Sequence, residues 1–237
     1  MPTPSTETHR IKSFVLRQGR LSPGQKKALD AYWPHYGCRL EQGPLDWAHL
    51  FGRQADTFLE IGFGMGHSLA EMAQARPEHN FIGVEVHKPG VGALLKTLGA
   101  AQLNNVRVFN EDAVAVLEHN IRPQSLAGIY IFFPDPWHKK RHHKRRLIQP
   151  HFLTQLAQYI QPNGLLHMAT DWEDYAQQMM QVASDSPYFD NTQAPGRFSP
   201  RPATRPRTKF EQRGQKLGHS VWDLVFTRNT RAPKAQG

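Results

Sequence analysis

The sequence predicts a doubly wound α/β fold on a mostly parallel sheet. Two observations predict it. Short apolar runs alternate with longer amphipathic stretches over most of the chain. Glycines or acids follow the apolar runs, at the sheet rim where such folds bind ligands. Thr57–Ile61 reads as a buried strand ending at Gly62, Ser68–Ala75 as a helix stopped near Pro77, and Phe81–Val86 as the next strand. Pro89 suits the first turn of a helix that reaches about Leu103. Val106–Phe109 reads as a strand and Ala113–His119 as a helix. Gly128–Phe133, β-branched and aromatic and closed by Pro134, is the clearest buried strand. Then come a helix over Phe152–Ile160, a turn over Gln161–Gly164, a strand over Leu165–Ala169 and a helix over Trp172–Ala183. Trp222, Leu224 and Phe226 alternate with Val221, Asp223 and Val225 and give a last strand.

At 237 residues, with 39% apolar residues including 13 Phe, 6 Tyr and 5 Trp, the chain can bury a real core, which excludes a wholly disordered protein. The expected organisation is a basic, partly flexible arm over 1–30, one domain over 31–228 and a flexible tail over 229–237. Cys38 is the one cysteine, so no intramolecular disulfide, cysteine-rich zinc site or iron–sulfur cluster is expected, and a buried small residue is its simplest role. A reducing cytoplasm fits. Met1–Arg20 has no apolar signal-peptide core, and the longest fully apolar run, Ile129–Phe133, is far short of a membrane span.

The formal net charge is +9, from 29 Lys and Arg against 20 Asp and Glu. Six of the cations fall in eight consecutive residues: Lys139, Lys140, Arg141, Lys144, Arg145 and Arg146, with His142 and His143 between them. Such a run is either a solvated loop or a binding surface for a phosphate backbone, whose neutralisation releases counterions. A zinc site from His138, His142 and His143 is not expected, because the adjacent cations would repel the metal. Smaller basic regions lie in the first ~27 residues and between Ser186 and Lys216. The latter, rich in proline and arginine, reads as an extended, mobile loop, and its part near residues 186–207 as a candidate lid.

The residues after each strand carry the chemistry. After the first comes Glu60-Ile61-Gly62-Phe63-Gly64-Met65-Gly66, a G-x-G-x-G turn. A dinucleotide fingerprint would want glycine where His67 stands, and the carboxylate of Glu60 favours a cationic ligand over a pyrophosphate. Glu85, after the second strand, can accept from a ribose diol. Asp112, after the third, can cap a helix and accept from an adenine amine. Asp135 follows the fourth strand between Pro134 and Pro136, which hold it extended, and Trp137 follows. A rigid carboxylate beside a stacking aromatic suits recognition of a base. Asp171, after the fifth strand, is either another rim acid or simply the cap of the next helix.

At these residues the sequence resembles the bacterial tRNA (guanine-N7-)-methyltransferase family, a branch of the class I S-adenosylmethionine-dependent methyltransferases. The matching blocks are the basic segment at 10–20, LEIGFGMG from Leu59, GVEVHKPGVGALL from Gly83, NEDAV from Asn110, FFPDPWHKKRHHKRR from Phe132, HMATDW from His167, and TKFEQRG from Thr208 with LGHSVWDLVFTR after it. They cover residues 10 to 228. The resemblance implies a Rossmann-like class I fold with an antiparallel C-terminal strand, and a cytoplasmic enzyme that methylates N7 of guanosine 46 in the variable loop of tRNA. By motif position, Glu60, Gly62, Glu85, Asp112 and Asp135 would bind S-adenosyl-L-methionine, Asp135 would also be catalytic, and Lys139, Asp171, Thr208, Lys209, Phe210 and Glu211 would contact the substrate. Arg141, His142, His143, Lys144, Arg145 and Arg146 would contact RNA. No metal and no membrane are implied.

Three alternatives compete with that reading: a methyltransferase for another nucleic acid, a nicotinamide-dependent dehydrogenase, and a non-catalytic RNA-binding protein. Glu60 and the missing glycine at His67 disfavour the dehydrogenase, and the full set of strand-end acids disfavours the non-catalytic protein.

Overall fold

The computed structural model describes residues 14, 19–207, 211 and 220–231. The strands Thr57–Ile61 (β2), Asn80–Val84 (β3), Val106–Phe109 (β4), Leu126–Phe132 (β5) and Ile160–Thr170 (β6) form the parallel body of one sheet, joined at one edge by Gly37–Cys38 (β1). Trp222–Arg228 (β8) pairs antiparallel with β6, and Phe189–Asn191 (β7) pairs antiparallel with β8. The order is β1-β4-β3-β2-β5-β6-β8-β7. The direction of winding reverses between β2 and β5, and a crevice opens at such a switch point.

Every residue of β2, β3 and β5 is buried, as expected of parallel strands covered on both faces. Alternate side chains feed two cores. Leu59, Ile82, Ile129 and Met168 pack with Ala113–Asn120 (α5), Pro150–Tyr159 (α6) and Glu173–Ser184 (α7). Phe58, Phe81, Tyr130 and Val108 pack on the other face with Pro23–Tyr36 (α1), His67–Ala75 (α3) and Lys88–Ala101 (α4). Trp47–Phe51 (α2) precedes β2.

The differences from the sequence reading have local causes. Helix α1 starts at a capping box in which Ser22 and Gln25 bond reciprocally, and it runs through position 30. It docks on α4 through Gln25 Nε2 donating to Pro89 O at 3.0 Å and Tyr36 Oη donating to Leu98 O at 3.2 Å. The expected turn at Gln161–Gly164 is a bulge inside β6. Leu126 pairs with Ile160 and Gly128 with Leu165, and Asn163 takes the extra length at φ 64°. The segment after Ser186 is not a free loop over its described part. It contributes β7, a bridge from Ser199 to Asp223, and a buried Arg205. Asn229 is pinned by its N–H donating to Tyr188 O at 2.9 Å.

Candidate active site

A cavity of about 560 Å³ opens at the carboxyl ends of β2 to β5, within the size range of small-molecule sites. Ile61, Gly62 and Val84 line it from the strand ends, and the carboxylates of Glu85, Glu111, Asp112 and Asp135 line it from the loops that follow. Phe14, Trp137 and Leu147 complete the wall. Of the acids expected to meet a cofactor, the structure gathers Glu85, Asp112 and Asp135 around this one space, together with Gly62.

Glu60 lies one residue below the lining, 2% exposed. Its Oε1 accepts from Ser68 Oγ at 2.6 Å, while Oε2 is buried with no hydrogen-bond partner. Burial pushes its carboxyl up to about 7. The Ser68 hydrogen bond opposes that rise, and the charge of Glu85 adds to it. Glu85 holds the loops in place: Oε2 accepts from Gly64 N and Oε1 from His87 N, both at 2.8 Å. Asp112 caps α5 through Oδ1, which accepts from Val114 N at 2.9 Å. The turn approaches α4 so closely that a Cβ on Gly90 would stand 2.1 Å from Gly64 O, and Gly66 at φ 78° packs against Leu94. Gly66 and Gly90 therefore serve the packing of the turn on α4.

The loop carrying Asp135 is strained and over-determined. Phe133 and Trp137, on either side of Pro134-Asp135-Pro136, have φ of 52° and 48°. Left-handed backbone at such residues costs on the order of 1–3 kcal/mol each and persists only when its surroundings impose it. Here Phe133 N donates to Ala169 O at 2.8 Å, Trp137 N to Asp135 Oδ1 at 3.0 Å, and Arg146 Nε to Pro136 O at 2.8 Å. Asp135 itself is exposed and makes no further hydrogen bond among the described residues.

The basic run is a 3-10 helix over Lys140–Arg145. Lys139, Arg141 and Lys144 are exposed, and His142, His143 and Arg145 are half-buried. Arg146, expected among the RNA-facing cations, is instead 2% exposed. It bonds Asp174 Oδ2 and Gln178 Oε1 at 2.5 Å each and lies over the Tyr175 ring at 4.8 Å, so its role is to fasten the loop to α7. Arg145 stacks over Trp137 at 4.2 Å and donates to Phe14 O at 3.4 Å, which ties Phe14 to the loop that carries Trp137.

Asp171 is exposed and does not cap α7: the cap residue is Trp172, and no side chain supplies the capping bond. Glu211 is 3% exposed, and Arg205 donates to both its oxygens, at 2.8 and 2.9 Å. The same guanidinium meets both oxygens of Asp223, at 2.6 and 2.9 Å, and His167 Nε2 lies 2.7 Å from Asp223 Oδ1. An ionised carboxylate only accepts, so His167 carries its proton on Nε2. Burial holds the His167 pKa below its ordinary value, although the Asp223 contact pulls the other way. Glu211 is thus held in this buried cluster and is not among the residues that line the cavity. Thr208, Lys209 and Phe210 lie outside the described residues. Among the described residues no group of His, Cys, Asp and Glu is arranged to hold a metal, and no helix is long and apolar enough to cross a membrane.

Sequence reasoning missed Phe14, Leu147 and Glu111 as lining residues, and the whole Arg205 network. Phe14 had a signal, as the aromatic of a basic arm; the others depend on contacts across the fold.

Comparison with known proteins agrees with this geometry. The chain matches the family model described as "Putative methyltransferase" over residues 54–224. It is 60% identical over 219 residues to the tRNA (guanine-N(7)-)-methyltransferase of Hydrogenovibrio crunogenus, covering 92% of this chain and 91% of that one. It is 57% identical to the protein of that name in Aeromonas hydrophila, covering 92% of each chain. Among solved structures, the 16S rRNA methyltransferase KamB superposes with a TM-score of 0.58 at 15% identity, covering 77% of this chain and 92% of that one. The S-adenosylmethionine-dependent O-methyltransferase of Thermotoga maritima gives 0.51 at 13% identity, covering 79% and 64%. These two share the fold, and the sequence relatives share far more: this chain belongs to the tRNA (guanine-N(7)-)-methyltransferase family.

Proposed function

We propose that the protein transfers a methyl group from S-adenosylmethionine to N7 of guanosine 46 in the variable loop of tRNA, in the cytoplasm. The observation that carries the reading is the convergence of Glu85, Asp112 and Asp135 on one cavity beside an exposed run of cations.

The residues fit the cofactor. Glu60 Oε2 is buried and unpartnered, one residue from the lining, and an ammonium group would satisfy it. Glu85 already accepts two backbone N–H groups, but each carboxylate oxygen keeps a second lone pair for a ribose hydroxyl. Asp112 caps its helix through one oxygen and keeps the other for an adenine amine.

S-adenosylmethionine supplies an electrophilic methyl group on a sulfonium. The chain supplies position and charge. Guanine N7 bears an in-plane lone pair and no proton, so no general base is required, and orientation accounts for much of the acceleration. Asp135, or Asp171 on the neighbouring strand end, accepts from guanine N1–H and the 2-amino group. The same carboxylate offsets the positive charge that develops on the ring. Glu211 is 3% exposed in its pair with Arg205 and is not among the residues that line the cavity, so it is not the base acceptor. The exposed cations take phosphates, and the base is displaced from its tertiary contacts before reaction.

Labelled cofactor and an unmodified tRNA test this. Label must enter the RNA, and an Asp135→Ala protein that still binds tRNA must fail to transfer it at saturating cofactor. Near wild-type turnover in that variant removes Asp135 from the mechanism.

A further inference from the structure

We propose that the exposed indole of Trp172 is the stacking surface for the displaced guanine, and that it favours the ring as it turns cationic. The inference rests on the reading that guanine N7 in tRNA is the acceptor.

Trp172 and Met65, 39% and 45% exposed, are the exposed large apolar side chains among the described residues. An indole in water forgoes the gain that burial gives the other large rings of this chain. Local structure does not account for it. Trp172 is the cap residue of α7, a place that favours small polar side chains, and its N–H is satisfied by Thr170 Oγ1 at 3.2 Å whatever its own side chain.

Its position does account for it. Trp172 follows the end of β6, whose Ala169 O accepts from Phe133 N two residues before Asp135. Its ring meets His138 at 4.2 Å with the planes at 71°, so the indole bridges the two loops that carry Asp135 and Asp171. That edge-on imidazole restricts the indole while leaving it open to solvent. Beside it, Asp171 is exposed with no hydrogen bond or ion pair among the described residues, and Lys139 and Lys140 are exposed. An aromatic face, two carboxylates and flanking cations provide stacking, edge recognition and phosphate attraction in one place.

The chemistry adds a direction. When N7 takes the methyl group as an electrophile, the S–C bond breaks, its electron pair stays on sulfur, and the guanine acquires a unit positive charge. A cation over an indole face is attracted more strongly than the neutral ring is. Trp172 would therefore hold the transition state more tightly than the ground state, and its loss should appear in kcat more than in KM.

The test uses Trp172→Ala and Trp172→Phe, with two readouts. In turnover on unmodified tRNA, Trp172→Ala should lose about tenfold or more in kcat, and Trp172→Phe should retain most of it. With tRNA carrying 2-aminopurine at the target position, the wild-type complex should be more strongly quenched than the Trp172→Ala complex. Cofactor affinity and Tm should match wild type in both variants. Unchanged kcat with equal quenching overturns the proposal. So does a parallel loss of Tm and cofactor affinity in both variants, which would make Trp172 a clasp for the His138 loop. Absence of N7 methylation by the wild-type protein itself is a different result, and it overturns the underlying reading instead.

Discussion

Arg146 donates through Nε to the carbonyl oxygen of Pro136 at 2.8 Å, so the last cation of the basic run holds the loop that carries Asp135. Its other nitrogens reach Asp174 and Gln178 on α7, and the strained peptides on either side of Asp135 are thereby fixed to a rigid element. Arg146→Met should cost about 2–3 kcal/mol of stability, the scale of removing hydrogen bonds to a charged group at a buried position. It should also lower kcat, because the loop is released. Arg141→Met, at an exposed position, should change stability by no more than about 0.5 kcal/mol. Urea denaturation of the two variants checks this, and equal midpoints would contradict it.

Glu60 makes a prediction in pH. Its carboxyl is raised from an ordinary 4.5 to about 7, chiefly by burial. Between those values the folded state holds a proton that the unfolded state has released. Stability of the ligand-free protein should therefore fall as pH rises through that window, by roughly 3 kcal/mol in all. Glu60→Gln should flatten the slope and be the more stable protein at pH 8. A cationic ligand near Oε2 favours the ionised form, so cofactor binding near pH 6.5 should release a proton. Calorimetry in buffers of different ionisation enthalpy measures that release, and its persistence in Glu60→Gln would remove Glu60 from the linkage.

The exposed cations should act through phosphates alone. Neutralising Arg141 and Lys144 to Gln should weaken different tRNAs about equally. The log–log salt slope should fall by about 0.7–0.9 for each phosphate that the variant no longer neutralises, with cofactor affinity unchanged. Binding titrations at several salt concentrations decide it. An unchanged slope would make the run a solvated face.

The parallel core was legible because strands such as Leu126–Phe132 are buried on both faces and so read as unbroken apolar runs. The rim acids were legible because each follows a strand end. What escaped depends on partners distant in sequence. Nothing in the run separates Arg146 from Arg141; Asp174 and Gln178 do, from a helix that begins 27 residues later. The proline-rich segment after Ser186 looked free because its anchor is a chain of side-chain pairs, Glu211 to Arg205 to Asp223 to His167, assembled from β6, β8 and the loop between β7 and β8. Asp171 looked like a cap, and only the geometry of Trp172 shows that it is not.

The central claim is transfer to N7 of one guanosine, and N7 methylation makes that nucleotide's chain cleavable by borohydride followed by aniline. An unmodified tRNA transcript incubated with the protein and S-adenosylmethionine should be cut at position 46. A transcript with adenosine there should stay intact, as should the original transcript treated with Asp135→Ala protein. Cleavage elsewhere, or label incorporated without any cleavage, would contradict the account.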